Sequence, residues 1–214
     1  IDEIARWATI GDDDKRLIVA RQQTARERDL AAALALAVTR AQVLSTTAQM
    51  VPNVAMAQGV SVGLLDRSQL RVQHSPSVHS RVTERWTSMD VTTPTPITDC
   101  ARSGETLVFG TRDDVVRRYP DVHFDPEFGA AALACVPLVI RQEPVGALAF
   151  GYAREQPFDP DQVRWLNQLA TMVSGALERA RLHDAQAQVA LTLQNDLLPE
   201  ALPSTAEFTL SATY

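Results

Sequence analysis

Between residues 131 and 153 the chain reads AALACVPLVIRQEPVGALAFGYA, two apolar runs around a polar turn at residues 141–144. Two strands joined by so short a turn pair antiparallel, which sets the architecture around them. A second such unit lies upstream. In GVSVGLLD, Val60, Val62 and Leu64 alternate with Ser61, Gly63 and Leu65; Asp66, Arg67 and Ser68 make a turn, and QLRVQHS returns. That period of two marks a hairpin with one face buried. Between the hairpins the sequence predicts a short helix over residues 77–88, another from Pro96 stopped by Gly104, a strand TLVFG, and a helix RDDVVRRYP ended by Pro120.

Helices flank this block. Three acids, Asp12, Asp13 and Asp14, precede a helical run that is charged as far as Asp29, then apolar through Leu30, Leu34, Ala37 and Val38. A second helix is expected over residues 39–57, kinked or split at Pro52. At the other end Asp159 is a good N-cap and Pro160 a good first helical residue. Residues 161–198 then contain no proline and only Gly175, enough for a helix of roughly 57 Å. Pro199 and Pro203 break it, and EFTLSATY reads as a strand. The fold class is α+β: a central antiparallel sheet covered by helices, with long N- and C-terminal helices.

Of the 214 residues, 45% are hydrophobic and 21% charged, enough to bury a core. The net charge of −6 gives no electrostatic footprint for nucleic acid. No apolar run approaches the ~20 residues of a membrane span. The first residues, IDEIARWATIGDDDK, have no signal core and begin with Ile, so the chain is expected to be a cytoplasmic piece of something larger.

In order and spacing, the first hairpin, the segment PITDCARSGETLVF, and the second hairpin followed by Phe158-Asp159-Pro160-Asp161 resemble a GAF domain over residues 30–180. The tail resembles the opening of SpoIIE-type serine/threonine phosphatases of the PPM family. Its Leu193-Gln194-Asn195-Asp196-Leu197-Leu198-Pro199-Glu200-Ala201-Leu202-Pro203 matches their Leu-Gln-x-x-Leu-Leu-Pro-x-x-Leu-Pro motif. The two resemblances imply an upstream linker (1–29), a sensor domain (30–180), a signalling helix and linker (181–203), and the first phosphatase strand (204–214). The chain stops before the aspartates that would hold the phosphatase metals. No catalytic residue, metal ligand or cofactor is therefore expected here, and Mn or Mg belongs only to the missing domain.

GAF pockets lie between the sheet and the short helices, which implies a cavity near Trp86, Cys100, Phe109, Tyr119, Phe124 and Cys135. The same residues could simply pack the core. Two cysteines are fewer than the set used by GAF proteins that reduce methionine sulfoxide, and the Cys-His pair of bilin binders is missing. His74 and His79 could meet a metal or be locally bonded. His183 lacks the context of a phospho-accepting histidine.

On the last helix, Val163, Leu166, Val173 and Leu177 follow a heptad seam that weakens after Ala180, where a stripe through Leu182, Val189 and Leu193 takes over. This suggests a homodimer through the terminal helices that passes a signal to the phosphatase, or a helix packed first on its own sheet and then on a neighbour. The expected function is a dimerising sensory module of bacterial signal transduction acting in an anti-sigma-factor antagonist pathway. The alternatives are a receptor for a small molecule or haem with a different output domain, and a stand-alone redox enzyme built on a reactive thiol. No nucleic acid or membrane partner is expected.

Overall fold

The alternation in the two hairpins builds a sheet with unlike faces. The computed structural model of the chain describes residues 12–122 and 129–197. The expected 204–214 strand, most of the phosphatase-like motif, the first eleven residues and Phe124 lie outside those residues. Within them the order is α1 (Asp12–Leu36), α2 (Arg40–Ala55), β1 (Gly59–Asp66), β2 (Gln69–His74), α3 (Ser80–Arg85), β3 (Ser88–Asp90), α4 (Pro96–Ser103), β4 (Leu107–Phe109), α5 (Arg112–Arg118), β5 (Ala132–Ile140), β6 (Glu143–Tyr152) and α6 (Pro160–Leu197). The strands form one six-stranded sheet in the order β3-β2-β1-β6-β5-β4, with every pairing antiparallel.

One face carries the large side chains. Val60, Val62 and Leu64 of β1, Leu148 and Phe150 of β6, and Val136 and Leu138 of β5 are buried under α1, α2 and α6. From the helices come Leu30 and Leu34, Val43 and Val51, and Leu166, Leu169, Val173, Ala176 and Leu177. The first half of α6 therefore belongs to the chain's own core. Glu27 Oε1 accepts a 2.9 Å hydrogen bond from Trp165 Nε1, which ties α1 to α6. The opposite face holds a smaller cluster built from Leu70, Val72, Met89, Cys100, Leu107, Phe109, Val115, Tyr119 and Cys135.

Caps set the helix ends. Thr39, Thr95 and Thr111 each begin a capping box, and Asp159 Oδ1 accepts the Gln162 N–H at 2.8 Å. Pro52 does not split α2; it falls in the last turn, and Met56 closes the helix in a left-handed conformation (φ 50°). The helix expected over residues 77–88 is shorter, because Ser88 opens β3. That strand escapes a pattern reading because it has three residues, of which only Met89 is buried.

The β5–β6 turn has Arg141 and Gln142 at φ 53° and 70°, the doubly left-handed geometry of a tight hairpin. A register shift lies beside it, between Leu138 and Val139, opposite the stretch containing Pro144. A proline cannot donate to the ladder, and the bulge accommodates it. Two residues beyond Pro144 is Gly146, where a Cβ would lie 2.1 Å from the Gly63 carbonyl oxygen. No side chain fits there.

Leu166 is fully buried in this core. Leu166→Ala should lower the free energy of unfolding by about 2–5 kcal/mol in urea denaturation. The loss should not depend on protein concentration, because the hole opens inside the chain's own sandwich.

Candidate ligand cleft

On the second face of the sheet the central strands carry little bulk. Gly59, Ser61 and Gly63 of β1 pair across the ladder with Gly151, Ala149 and Ala147 of β6. Ala147 is packed in the second cluster, while Gly59, Ser61, Ala149 and Gly151 floor a cleft under the segment that joins β2 to β3. Ser75 positions that segment: its Oγ accepts the Val60 N–H at 3.0 Å and lies 2.9 Å from Ser77 Oγ. Val78 then rests on Gly59, where a Cβ would come within 2.7 Å of Val78 Cγ2.

The cleft has two adjoining lobes that share Ser61, Val82, Leu133 and Ala149. The larger, about 530 Å³, runs beneath residues 76–80 to Gly129 and Ala130. The smaller, about 140 Å³, is walled by Val72, Trp86, Met89, Ile97, Val122 and Cys135. Arg85 stacks its guanidinium 5.0 Å from the Trp86 ring centroid, which helps hold that wall.

Ser61 and His74 are the polar pair at the junction. They face each other across β1 and β2, with Ser61 Oγ 2.7 Å from His74 Nδ1. The other ring nitrogen, Nε2, lies 3.2 Å from the Trp86 carbonyl oxygen. A carbonyl only accepts, so Nε2 carries the proton, and in the neutral ring Nδ1 accepts from the Ser61 hydroxyl. Burial lowers the pKa of His74 from its ordinary 6.5, outweighing the opposing effect of the bond to Trp86.

Of the residues expected around a cavity, the structure places Trp86 and Cys135 on the cleft. Cys100, Phe109 and Tyr119 pack in the cluster beside it instead. Phe109 and Tyr119 meet edge to face at 5.9 Å, and the Tyr119 hydroxyl donates to Asp99 Oδ2 at 2.9 Å. Desolvation pushes the Cys100 thiol up to about 12 and that of Cys135 well above its ordinary value. Both are held as thiols, which are poor nucleophiles. His79 is the N-cap of α3, where Nδ1 accepts the Arg81 N–H at 3.3 Å, and it lines the larger lobe. Among the described residues no group of three or more His, Cys, Asp and Glu side chains is placed to hold a metal ion. Ser61 and Ala149 were not singled out from sequence, and His74 only as a residue that could meet a metal or be locally bonded; the small-residue alternation in both central strands was the available signal for the first two.

On α6, Leu166, Val173 and Leu177 are buried and Val163 half-buried. Leu166, Val173 and Leu177 thus find their cover within one chain. Beyond Ala180 every residue from 181 to 189 is exposed, and Leu182, Val189 and Leu193 are 41%, 60% and 56% exposed. No helix of the described residues is long and apolar enough to cross a membrane.

The sequence profile of the GAF domain family matches residues 39–179. No curated protein matches the chain in sequence. The fold is similar to the GAF domain of a phosphoenolpyruvate-protein phosphotransferase (ptsP) from Coxiella burnetii, with 14% identity and a TM-score of 0.62 over 78% of this chain and 98% of that one. The GAF-B domain of DevS from Mycobacterium smegmatis shares 16% identity, with a TM-score of 0.53 over 70% and 98%. Free methionine-R-sulfoxide reductase from Neisseria meningitidis shares 20% identity, with a TM-score of 0.55 over 72% and 86%.

Folding favours the neutral His74 ring, so its contribution to stability is full above about pH 6.5 and is lost as pH falls through the lower folded-state pKa. Between about pH 7.5 and pH 5.5 the wild type should lose more unfolding free energy than His74→Gln, as read by urea denaturation at both pH values. In the native state neither cysteine should react with an aromatic disulfide reagent during a time in which the unfolded chain titrates both.

Proposed function

The chain belongs to the GAF domain family, whose members are sensory and regulatory modules of signalling proteins, and from that premise we propose that its cleft binds a small ligand and that α6 carries the response out of the domain. The observation that carries this reading is the division of α6. Its first half packs on the sheet, while residues 181–189 are all exposed. Strands β5 and β6 connect the two ends of the path. Ala149 and Leu133 face the cleft, and their neighbours Leu148, Phe150 and Ala134 lie in the core under α6. A ligand wedged in the cleft would press on β5, on which α6 rests, directly at Leu133 and through the neighbouring strand β6. It can bias the helix only by its difference in affinity between the two packings.

The exposed stripe through Leu182, Val189 and Leu193 is read as the contact with the same helix of a second copy, joined by α1. Asp184 falls instead on the continuation of the first seam, that of Val163, Leu166, Val173 and Leu177, and weakens it beyond Ala180. The output domain is read from the motif that begins at Leu193 and ends at Pro203 as a SpoIIE-type phosphatase, with residues 30–180 as the sensor and 181–203 as the connection. A haem-binding receptor is less favoured, because His74 already uses both ring nitrogens within the protein. A redox enzyme is less favoured because both thiols are held protonated.

Sedimentation equilibrium should show a dimer of the chain. Replacing Leu182, Val189 and Leu193 together with Glu should abolish it without changing thermal stability of the core. In the full-length protein Asp184→Leu should fix the output at one level. A chain that stays monomeric, or an output that still responds in that variant, would sink the helix-pair mechanism.

A further inference from the structure

The smaller lobe is chemically more specific than a generic apolar hole. Among the described residues no Asp, Glu, Lys or Arg side chain lines it. A charged ligand would be desolvated there with no counter-charge, which is strongly unfavourable. At about 140 Å³ it is close to the cavity size, about 150 Å³, that takes benzene-sized molecules. The Trp86 ring and Met89 provide a wall suited to an aromatic face.

One polar group breaks the apolar lining with a defined sense. His74 Nε2–H donates to the Trp86 carbonyl, so Nδ1 draws the proton of the Ser61 hydroxyl toward itself. Ser61 has then committed its only donor, and what it presents to the lobe is acceptor lone pairs. Thr95, at the lobe's edge, lies 2.7 Å from Thr98 Oγ1 and 3.7 Å from Met89 Sδ, so its hydroxyl is engaged within the α4 cap.

We infer that this lobe takes an uncharged ligand the size of one or two fused aromatic rings, which donates an N–H or O–H hydrogen bond to Ser61 Oγ. The inference rests on the reading of the cleft as a ligand site and adds the class of ligand. The burial that keeps His74 neutral supports the same polarity.

The test uses three probes of nearly one shape: indole, which has an N–H donor; benzofuran, whose ring oxygen can only accept; and indole-3-acetate, which carries a charge. Binding is followed by isothermal titration and by amide shifts of residues around Ser61 and Ala149. Indole should bind about tenfold tighter than benzofuran, the factor one neutral hydrogen bond is worth, and indole-3-acetate more weakly than indole. Ser61→Ala should bring indole and benzofuran to the same affinity, with its melting curve confirming that it remains folded. Equal affinities in the wild type, or tighter binding of indole-3-acetate, would overturn the inferred ligand class while leaving the cleft as a binding site. If no probe shifts any cleft amide, and filling the lobe with Ala149→Leu in the full-length protein leaves its output unchanged, the cleft reading itself fails.

Discussion

Everything in this chain depends on how bulk is divided between the two faces of one sheet. Along β1 and β6 the side chains alternate large and small: Val60, Val62, Leu148 and Phe150 on one side, Gly59, Ser61, Ala149 and Gly151 on the other. The large side needs cover, because apolar area removed from water is worth about 25 cal/mol per Å². α1, α2 and α6 supply it. The small side cannot be close-packed by the short helices above it, and the space left over is the cleft. Core and cleft are thus two results of one sequence pattern.

That arrangement joins the core and the cleft mechanically. β5 carries α6 on one face and turns Leu133 and Cys135 toward the cleft on the other, and β6, whose Ala149 floors the cleft, is hydrogen-bonded beside it, with only the sheet's thickness between. Close-packed interiors transmit displacement poorly as gradual strain and better as a change between packings. The Arg141–Glu178 ion pair, at 2.9 Å, and the adjoining Glu178–Arg181 pair, at 2.6 Å, lie where α6 leaves the sheet and connect the β5–β6 turn to the helix. Exposed pairs of this kind contribute little stability each, and their position matters more than their strength.

Much of this was legible from residues alone. The two hairpins declared an antiparallel sheet through their period of two, and Asp159 with Pro160 marked where α6 begins. The change of stripe near Ala180 coincides with the edge of the sheet. The helix seam itself was harder to read, since a face packed on a sheet repeats every 3.6 residues and a coiled-coil face every 3.5. Over the four turns from Leu166 to Ala180 the two cannot be told apart, and Leu166, Val173 and Leu177 satisfy both. The structure buries them in their own core. The cleft was visible only in part. Trp86 and Cys135 lie on it, but Ser61 and His74 become a pair only once β1 and β2 are aligned. Phe109 and Tyr119 were indistinguishable from wall residues until their edge-to-face contact was known.

The two-residue turn at Arg141 and Gln142, with the bulge beside it and Gly146 fixed against the Gly63 carbonyl, has a further consequence for how this sequence can change through its descent. Substitutions elsewhere on β6 alter one side chain at a time. A length change here would alter the reading frame of the whole strand. Losing one residue would turn Leu148 and Phe150 outward into the cleft and Ala149 inward under α6. The hairpin tip, which touches neither ligand lobe, should thus accept replacements of residue type far more readily than insertions or deletions.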